Sequence, residues 1–258
     1  MERTSISFDR AAEYYDRTRA LSPETMAEVV ALLRAELEGR QPCLEIGVGT
    51  GRLGLPLHES GIRMAGVDLS LPMILKLREK AGGRAPFPVV VADALALPFR
   101  DHSFGAGLAV HVLHVIGDSR AGLAELVRVV RPKGVVLVDA GGWGRGWWRQ
   151  IQDRFCEEAG IPPRGRGLIR GREIDEIMAS FGARVRRLGP IRAVEWGAIE
   201  ERISRLEEGL YSFTWQMDDR SRREAARKVR AWAMERFGSL SEPRRSQGRI
   251  GYRAYDLP

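Results

Sequence analysis

The stretch Cys43–Leu57, "CLEIGVGTGRLGLPL", decides the fold. A short apolar run passes directly into Gly47, Gly49 and Gly51, with Gly54 close behind. Glycine loses more conformational freedom on folding than any other residue. Such density therefore marks backbone that must turn sharply or lie bare against something. The apolar run reads as a buried strand, and "GRLGLPLHES" (51–60) as the helix after it, with Pro56 disturbing its first turns. Residues 49–54, "GTGRLG", match the G-x-G-x-x-G dinucleotide fingerprint. Glu45 argues against that match, because a carboxylate fixed two residues before Gly47 would repel a pyrophosphate. It favours a cationic or amine-bearing ligand, or a carboxylate that braces the loop.

Upstream, apolar residues recur at helical spacing over 23–37, with Ser22 as N-cap and Gly39 as the stop. Downstream the pattern alternates: strand 62–69, helix 71–82, strand 87–93, strand 104–113, helix 119–130 and strand 134–141. Strands alternating with helices through short turns imply right-handed crossovers and a parallel sheet covered on both faces. After Gly142 the pattern changes. "WGRGWWRQ" (143–150) is aromatic and basic, and "GIPPRGRGLIRG" (160–171) reads as a loop. A helix over 172–182, a strand over 183–196, helices over 198–209 and 218–237, and a final alternating strand "RIGYRAYDL" (249–257) follow. The expectation is an α/β core with an added helical cover.

Composition narrows the class. With 258 residues, 44% hydrophobic and 29% charged, the chain suits a soluble globular protein. No apolar run approaches the ~18 residues of a membrane span, and the opening "MERTSISFDRAAEYYD" is too polar for a signal peptide. Cys43 and Cys156 form neither a disulfide framework nor a metal-ligand spacing, so a reducing cytoplasm is expected. A net charge of +7 and a pI of 9.9 invite a nucleic-acid partner. The basic positions are nevertheless scattered, apart from a C-terminal cluster, and nucleic acid is not expected.

In a doubly wound sheet, ligands lie beyond the carboxyl ends of the strands. Asp68 closes the strand after the glycine loop, where it can accept from both hydroxyls of a ribose. Asp93 closes the next, in "VVVADALALPF", where it can accept from an exocyclic adenine amine. Glu45, Asp68 and Asp93 at three successive strand ends describe a nucleoside ligand without phosphates. The competing reading is that each only starts a turn.

With these residues in place, the chain resembles a class I S-adenosylmethionine-dependent methyltransferase of the broad group that includes the ubiquinone/menaquinone type. "LEIGVGTG" is similar to that family's first motif, with Glu45, Gly47, Val48, Gly49 and Gly51 in it. "GVDLSLPMIL" resembles the second, "ADALALPF" the third, and "RPKGVVLV" the lead into the fifth strand. "FDRAAEYYDRTR" is similar to the lid helix, in which Tyr15 would face the cofactor. The resemblance implies a Rossmann-like seven-stranded sheet in order 3-2-1-4-5-7-6, its last strand antiparallel. It implies S-adenosyl-L-methionine as cofactor, with Gly47 and Gly49 under its methionine part and Asp68 on its ribose. Leu69 and Met73 would flank the adenine, and Asp93 and Ala94 would read its edge. The division expected is lid helices at 1–40, a cofactor-binding core at 41–142, and a cover with the last two strands at 143–258.

Methyl transfer from a sulfonium is an in-line displacement, and orientation of the partners supplies on the order of 7–11 kcal/mol. A base is needed only if the acceptor must lose a proton. His111 and His114, in "AVHVLHVI" at the end of the fourth strand, are the candidates; the alternative is that His111 only lines the cofactor pocket. The Asn/Asp-Pro-Pro-aromatic string of exocyclic-amine methylation is absent, as is a Tyr-x-x-x-Lys pair, and no metal site is expected. Trp143, Trp147, Trp148, Trp196, Tyr211, Phe213 and Trp215 form either an apolar acceptor pocket or the core of the cover. The acceptor is expected between the fourth strand and a cover built from 143–180 and 198–238. An apolar or aromatic small molecule fits there, although Arg145, Arg149, Arg164 and Arg166 offer anion contacts. An RNA methyltransferase and a non-catalytic S-adenosylmethionine-binding regulator are the rival readings.

Overall fold

In the computed structural model, which describes residues 5–139, 146–162 and 171–258, the stretch "CLEI" is strand β1, Cys43–Ile46, buried along its whole length. It pairs in parallel with β2 (Met64–Asp68), Cys43 facing Met64, and with β4 (Phe104–Ala109), Cys43 facing Ala106. Strand β3 (Val89–Val91) lies beside β2, and β5 (Val130–Asp139) beside β4, both parallel. Strand β7 (Arg244–Asp256) runs antiparallel to β5, and β6 (Arg184–Gly197) completes the sheet in order 3-2-1-4-5-7-6. That is the expected order.

Successive side chains of the central strands enter opposite faces, which is why the apolar runs show little polar alternation. On one face Leu44, Ile46 and Val67 meet Leu123 and Leu126 of α5 (Ser119–Val129). On the other, Cys43, Leu108 and Leu137 meet Val29, Leu33 and Leu37 of α2 (Pro23–Leu37). Leu57 of α3 (Gly54–Glu59) and Leu77 of α4 (Leu71–Lys80) join this second layer. The helix starts are set chemically. Ser22 accepts from Thr25 N–H at 3.2 Å, Ser70 from Met73 N–H at 3.3 Å, and Asp118 from Arg120 and Ala121 N–H.

Several boundaries depart from the sequence expectation, among them β5, which starts at Val130 rather than 134, and β7, which starts at Arg244 rather than 249. Helix α3 starts at Gly54 rather than at 51, so Pro56 falls in the first turn, where no N–H is needed. Strand β4 ends at Ala109 rather than continuing to 113. His111 takes a left-handed φ of 55°, and its N–H donates to the side chain of Asp139, Oδ1 at 3.0 Å, instead of to a backbone carbonyl of β5. His111 and His114 therefore sit on the turn after β4, not on the strand.

The chain forms two compact units: Met1–Gly141 with Leu168–Ile191 and Ile250–Pro258, and Gly142–Gly167 with Arg192–Arg249. The first holds α1 (Tyr15–Arg19), α7 (Gly171–Ser180) and the elements described above, with β6 only as far as Ile191 and β7 only from Ile250; the rest of those two strands belongs to the second. The second is built on α6 (Trp147–Glu158), α8 (Ile199–Glu207) and α9 (Asp219–Phe237). Helix α6 was not expected from the sequence. The second unit's core joins Ile151, Phe155, Ile203, Leu206, Ala226 and Val229, with Trp147, Trp148, Phe213 and Trp232 packed on it. Tyr211 stacks between Trp148 and Phe213, with ring centres 5.6 and 5.9 Å away. The aromatic cluster thus builds a helical core. Trp196 stands apart from it, 66% exposed. Trp143, Arg145, Arg164, Arg166 and most of the expected 160–171 loop lie outside the described residues.

Candidate functional site

The turn after β1 works only with bare backbone. Gly47 has a φ of +68°, and a Cβ added there would stand 2.4 Å from Val112 Cγ2. Gly49 and Gly51 also take positive φ, so the loop curls with its amides exposed. Beyond it opens a cavity at the carboxyl ends of β1, β2 and β3.

Tyr15, Gly47, Gly49, Asp68, Leu69, Met73, Asp93, Ala94 and His111 all line this cavity. Four other candidates do not. Val48 is buried, its side chain held against Gly66 and Gly54. At Gly51 a Cβ would strike Leu55 and Leu77, so its constraint is internal packing. Glu45 lies beneath the loop, against Gly54 at the start of α3. His114 is exposed on the turn.

The acidic residues divide into braces and free acceptors. Asp68 Oδ2 accepts from Gly49 N–H and its Oδ1 from Ser70 N–H, both at 2.8 Å. The carboxylate is thereby pinned across the glycine loop. Burial raises its pKa while the two amides pull it down. Asp93 receives Leu95 N–H at 3.0 Å and the Ser5 hydroxyl at 3.2 Å, both on Oδ1, so its Oδ2 keeps its full accepting capacity among the described residues. Both aspartates form the turn bonds of the competing reading and still border the cavity. Glu45 is 3% exposed, and its Oε2 finds no hydrogen-bond partner among the described residues. Burial pushes its pKa up to about 8, with Arg52 opposing. Asp139 is also raised by burial, against the His111 N–H.

The N-terminal segment supplies lining that the sequence did not reveal. Ile6 N–H donates to Val115 O at 2.9 Å, and Gly117 N–H to Ser5 Oγ at 3.3 Å. Ser5, Ile6 and Phe8 thereby border the cavity beside Tyr15, whose ring meets Phe8 edge-on at 6.1 Å. Helix α1 is tethered by Thr50 Oγ1, which donates to Asp16 at 2.7 Å, and by Lys80, which pairs with Asp16 at 2.8 Å. Lys76 pairs with Glu13 at 2.9 Å. Two of the chain's four lysines thus hold this segment. "FDRAAEYYDRTR" pointed to Tyr15, but Ser5 and Ile6 precede it in a polar terminus without pattern. Val112, Val115 and Ile116, also lining, were legible only as apolar letters in "HVLHVI".

The sheet order is Rossmann-like, and the cavity lies at the carboxyl ends of its strands. Residues 44–138 match the methyltransferase domain family. The chain is 33% identical over 134 residues to the demethylmenaquinone methyltransferase of Corynebacterium kroppenstedtii, covering 51% of this chain and 56% of that protein. It is 34% identical over 165 residues to the malonyl-[acyl-carrier protein] O-methyltransferase of Salmonella typhimurium, covering 61% and 63%. It thus spans less than two thirds of either relative. A SAM-dependent methyltransferase of Thermotoga maritima shares the fold with a TM-score of 0.52 and 16% identity, over 97% of this chain and 98% of that one. Over residues 44–138 the chain is thus similar to the methyltransferase domain, and the cofactor that this similarity implies is S-adenosyl-L-methionine.

The residues present fit that cofactor. The bare loop, the acceptors Asp68 and Asp93, and the apolar walls of Leu69 and Met73 match a nucleoside with a cationic tail and no phosphate. No group of three or more His, Cys, Asp or Glu among the described residues could hold a metal ion. No helix among them is long and apolar enough to cross a membrane.

Proposed function

We propose that the protein transfers a methyl group from S-adenosyl-L-methionine to a small-molecule acceptor. The observation that carries this reading is the convergence of the bare Gly47–Gly49 backbone, Asp68 and Asp93 on one cavity, where three strand ends meet. Asp68 would hold the ribose with the lone pairs its two amides leave free. Asp93 Oδ2 would accept from the adenine amine, with Leu69 and Met73 against the ring. S-adenosylmethionine supplies a methyl group already activated on a sulfonium, so the chain's task is alignment rather than bond activation. Phe8 and Tyr15 exclude water from one side of the cavity. His111 is the one candidate base that borders it, and Asp139 fixes that turn through the His111 N–H. Where the acceptor nucleophile carries a proton, His111 would take it on a ring nitrogen. His114, exposed on the same turn, is less suited to the task.

The relatives' names support a small acceptor, since one is named for demethylmenaquinone and the other for a malonyl group held on a carrier protein. Both cysteines are buried thiols, which accords with a cytoplasmic setting. Calorimetry with S-adenosylmethionine, S-adenosylhomocysteine and NAD tests the first premise: the two methionine-derived ligands should bind, and binding of NAD alone would overturn the reading. Incubation of a metabolite extract with methyl-labelled S-adenosylmethionine tests the acceptor. Label recovered in a small molecule, or in a small acyl group released from a carrier protein by thioester cleavage, supports the proposal; label confined to RNA or to protein side chains refutes it.

A further inference from the structure

The second unit carries a cationic surface that the methyl-transfer reading leaves unused. Arg192 and Val194 of β6 and Arg245, Gln247 and Arg249 of β7 line one open concavity. In each strand these residues are two apart, so they share a face of the ribbon. Trp196, the next on that face of β6, is 66% exposed, and Val194 is 37% exposed.

The arginines here differ from those of the chain that hold a carboxylate. Arg186, Arg202, Arg230 and Arg253 each hold a carboxylate at 2.7–3.0 Å. Arg192, Arg245 and Arg249 hold none among the described residues, and no acidic residue lines their cavity. With its amide turned to present oxygen, Gln247 accepts from the Arg245 guanidinium and orients it. Three guanidinium groups without a carboxylate partner, beside an exposed tryptophan, are residue types enriched at binding interfaces.

We propose that this ribbon face docks an acidic protein segment lying extended along β6. Charge complementarity selects an anionic partner. The position of β6 selects a protein over a nucleic acid: it is the terminal strand of the sheet, so its outer edge offers backbone donors and acceptors to an added strand. Residues 192–197 span about 20 Å at ~3.3 Å per residue, long enough for a six-residue segment. Alternate acidic side chains of such a segment meet the arginines, and their methylene stems lie over Val194 and Trp196, which share that face.

The test uses the full chain and two labelled probes followed by fluorescence anisotropy: a peptide of alternating glutamate and valine, and a single-stranded oligothymidylate. The peptide should bind, and its affinity should fall as salt rises. The triple variant R192E/R245E/R249E should bind it about thirtyfold more weakly and lose the salt dependence. W196A should weaken binding about fivefold and keep the salt dependence. Amide exchange over 192–197 should slow when the peptide is added. S-adenosylhomocysteine binding, measured in parallel, should be the same in all variants, because the cofactor residues belong to the other unit. Its failure in the wild type would overturn the methyl-transfer reading and leave this one standing. Equal peptide affinity in wild type and triple variant, unchanged exchange over 192–197, or tighter binding of the oligothymidylate would each refute the proposal.

Discussion

Glu45→Gln isolates the cost of a buried carboxyl beneath the glycine loop. Glu45 is 3% exposed and its pKa is pushed from an ordinary 4.5 to about 8, first by burial, with Arg52 opposing and Asp68 adding to the rise. A folded-state pKa above the unfolded one means that the native protein binds more protons between the two values. Stability from this group is therefore fully present below about 4.5 and is lost as pH rises through about 8. The difference between 4.5 and 8, at about 1.4 kcal/mol per unit, sets a ceiling on the order of 5 kcal/mol for the loss. Glutamine has nearly the same shape and no charge to desolvate. At pH 5, where Glu45 is protonated when folded, the variant should match the wild type or fall slightly below it. At pH 9 it should be the more stable, with a melting advantage approaching 10 °C, since ~1 kcal/mol moves a domain of this size by about 2–4 °C. Thermal melts of both proteins at pH 5, 7 and 9 give the answer as a difference of differences. Asp68 and Asp139 are raised too, so the wild-type slope alone is not diagnostic. Parallel curves for the two proteins across this range would show that Glu45 is ionised throughout and that the burial argument is wrong.

Gly47→Ala places a Cβ 2.4 Å from Val112 at a φ of +68°, so S-adenosylhomocysteine affinity should fall at least about a hundredfold by calorimetry, with partial rescue by adding Val112→Ala. Asp68→Ala removes two amide bonds to a charged acceptor, each worth about 1.5–3 kcal/mol before allowance for partial exposure. The unliganded protein should melt several degrees lower and cofactor affinity should fall more than about tenfold; an unchanged melt would mean the carboxylate braces nothing. Thr50→Val breaks the 2.7 Å bond to Asp16 and should speed cofactor release in stopped-flow displacement while leaving the melting temperature nearly unchanged. His111→Gln should lower kcat while His114→Gln should not, once an acceptor is in hand; equal effects would remove the basis for choosing between them.

The core was legible because its physics is local. The central strands β1, β2 and β4 are buried on both faces, so they appear as uninterrupted apolar runs, and the starts of α2, α4 and α5 carry their own capping residues, Ser22, Ser70 and Asp118. The glycine spacing and the strand-end carboxylates were legible for the same reason. What escaped depended on partners distant in sequence. The end of β4 is set by Asp139, 28 residues downstream, which captures the His111 N–H. Helix α6 was hidden because its buried positions Ile151, Gln152, Phe155 and Cys156 include a polar residue and only two strong hydrophobes. Its burial comes from α8 and α9, which no window around it contains.

The same distinction separates the two kinds of site residue. Asp68 and Asp93 sit where topology sends every strand end, so their place follows from the alternation of elements alone. Ser5 and Ile6 reach the cavity through bonds to Asp93, Val115 and Gly117, and a serine in a polar terminus carries no mark of such bonds. Lys76 and Lys80 are one turn apart on α4, so both extend toward the N-terminal segment, where Glu13 and Asp16 meet them. Read singly, these are four ordinary surface charges. Together with Thr50 they fasten a segment whose Phe8 and Tyr15 border the cofactor cavity. A cofactor entering that cavity must first part contacts made largely by exposed groups, each worth less than about 1 kcal/mol. The tethers are therefore strong enough to order the segment and weak enough to release it, and the rate of cofactor exchange should respond to salt even where its affinity does not.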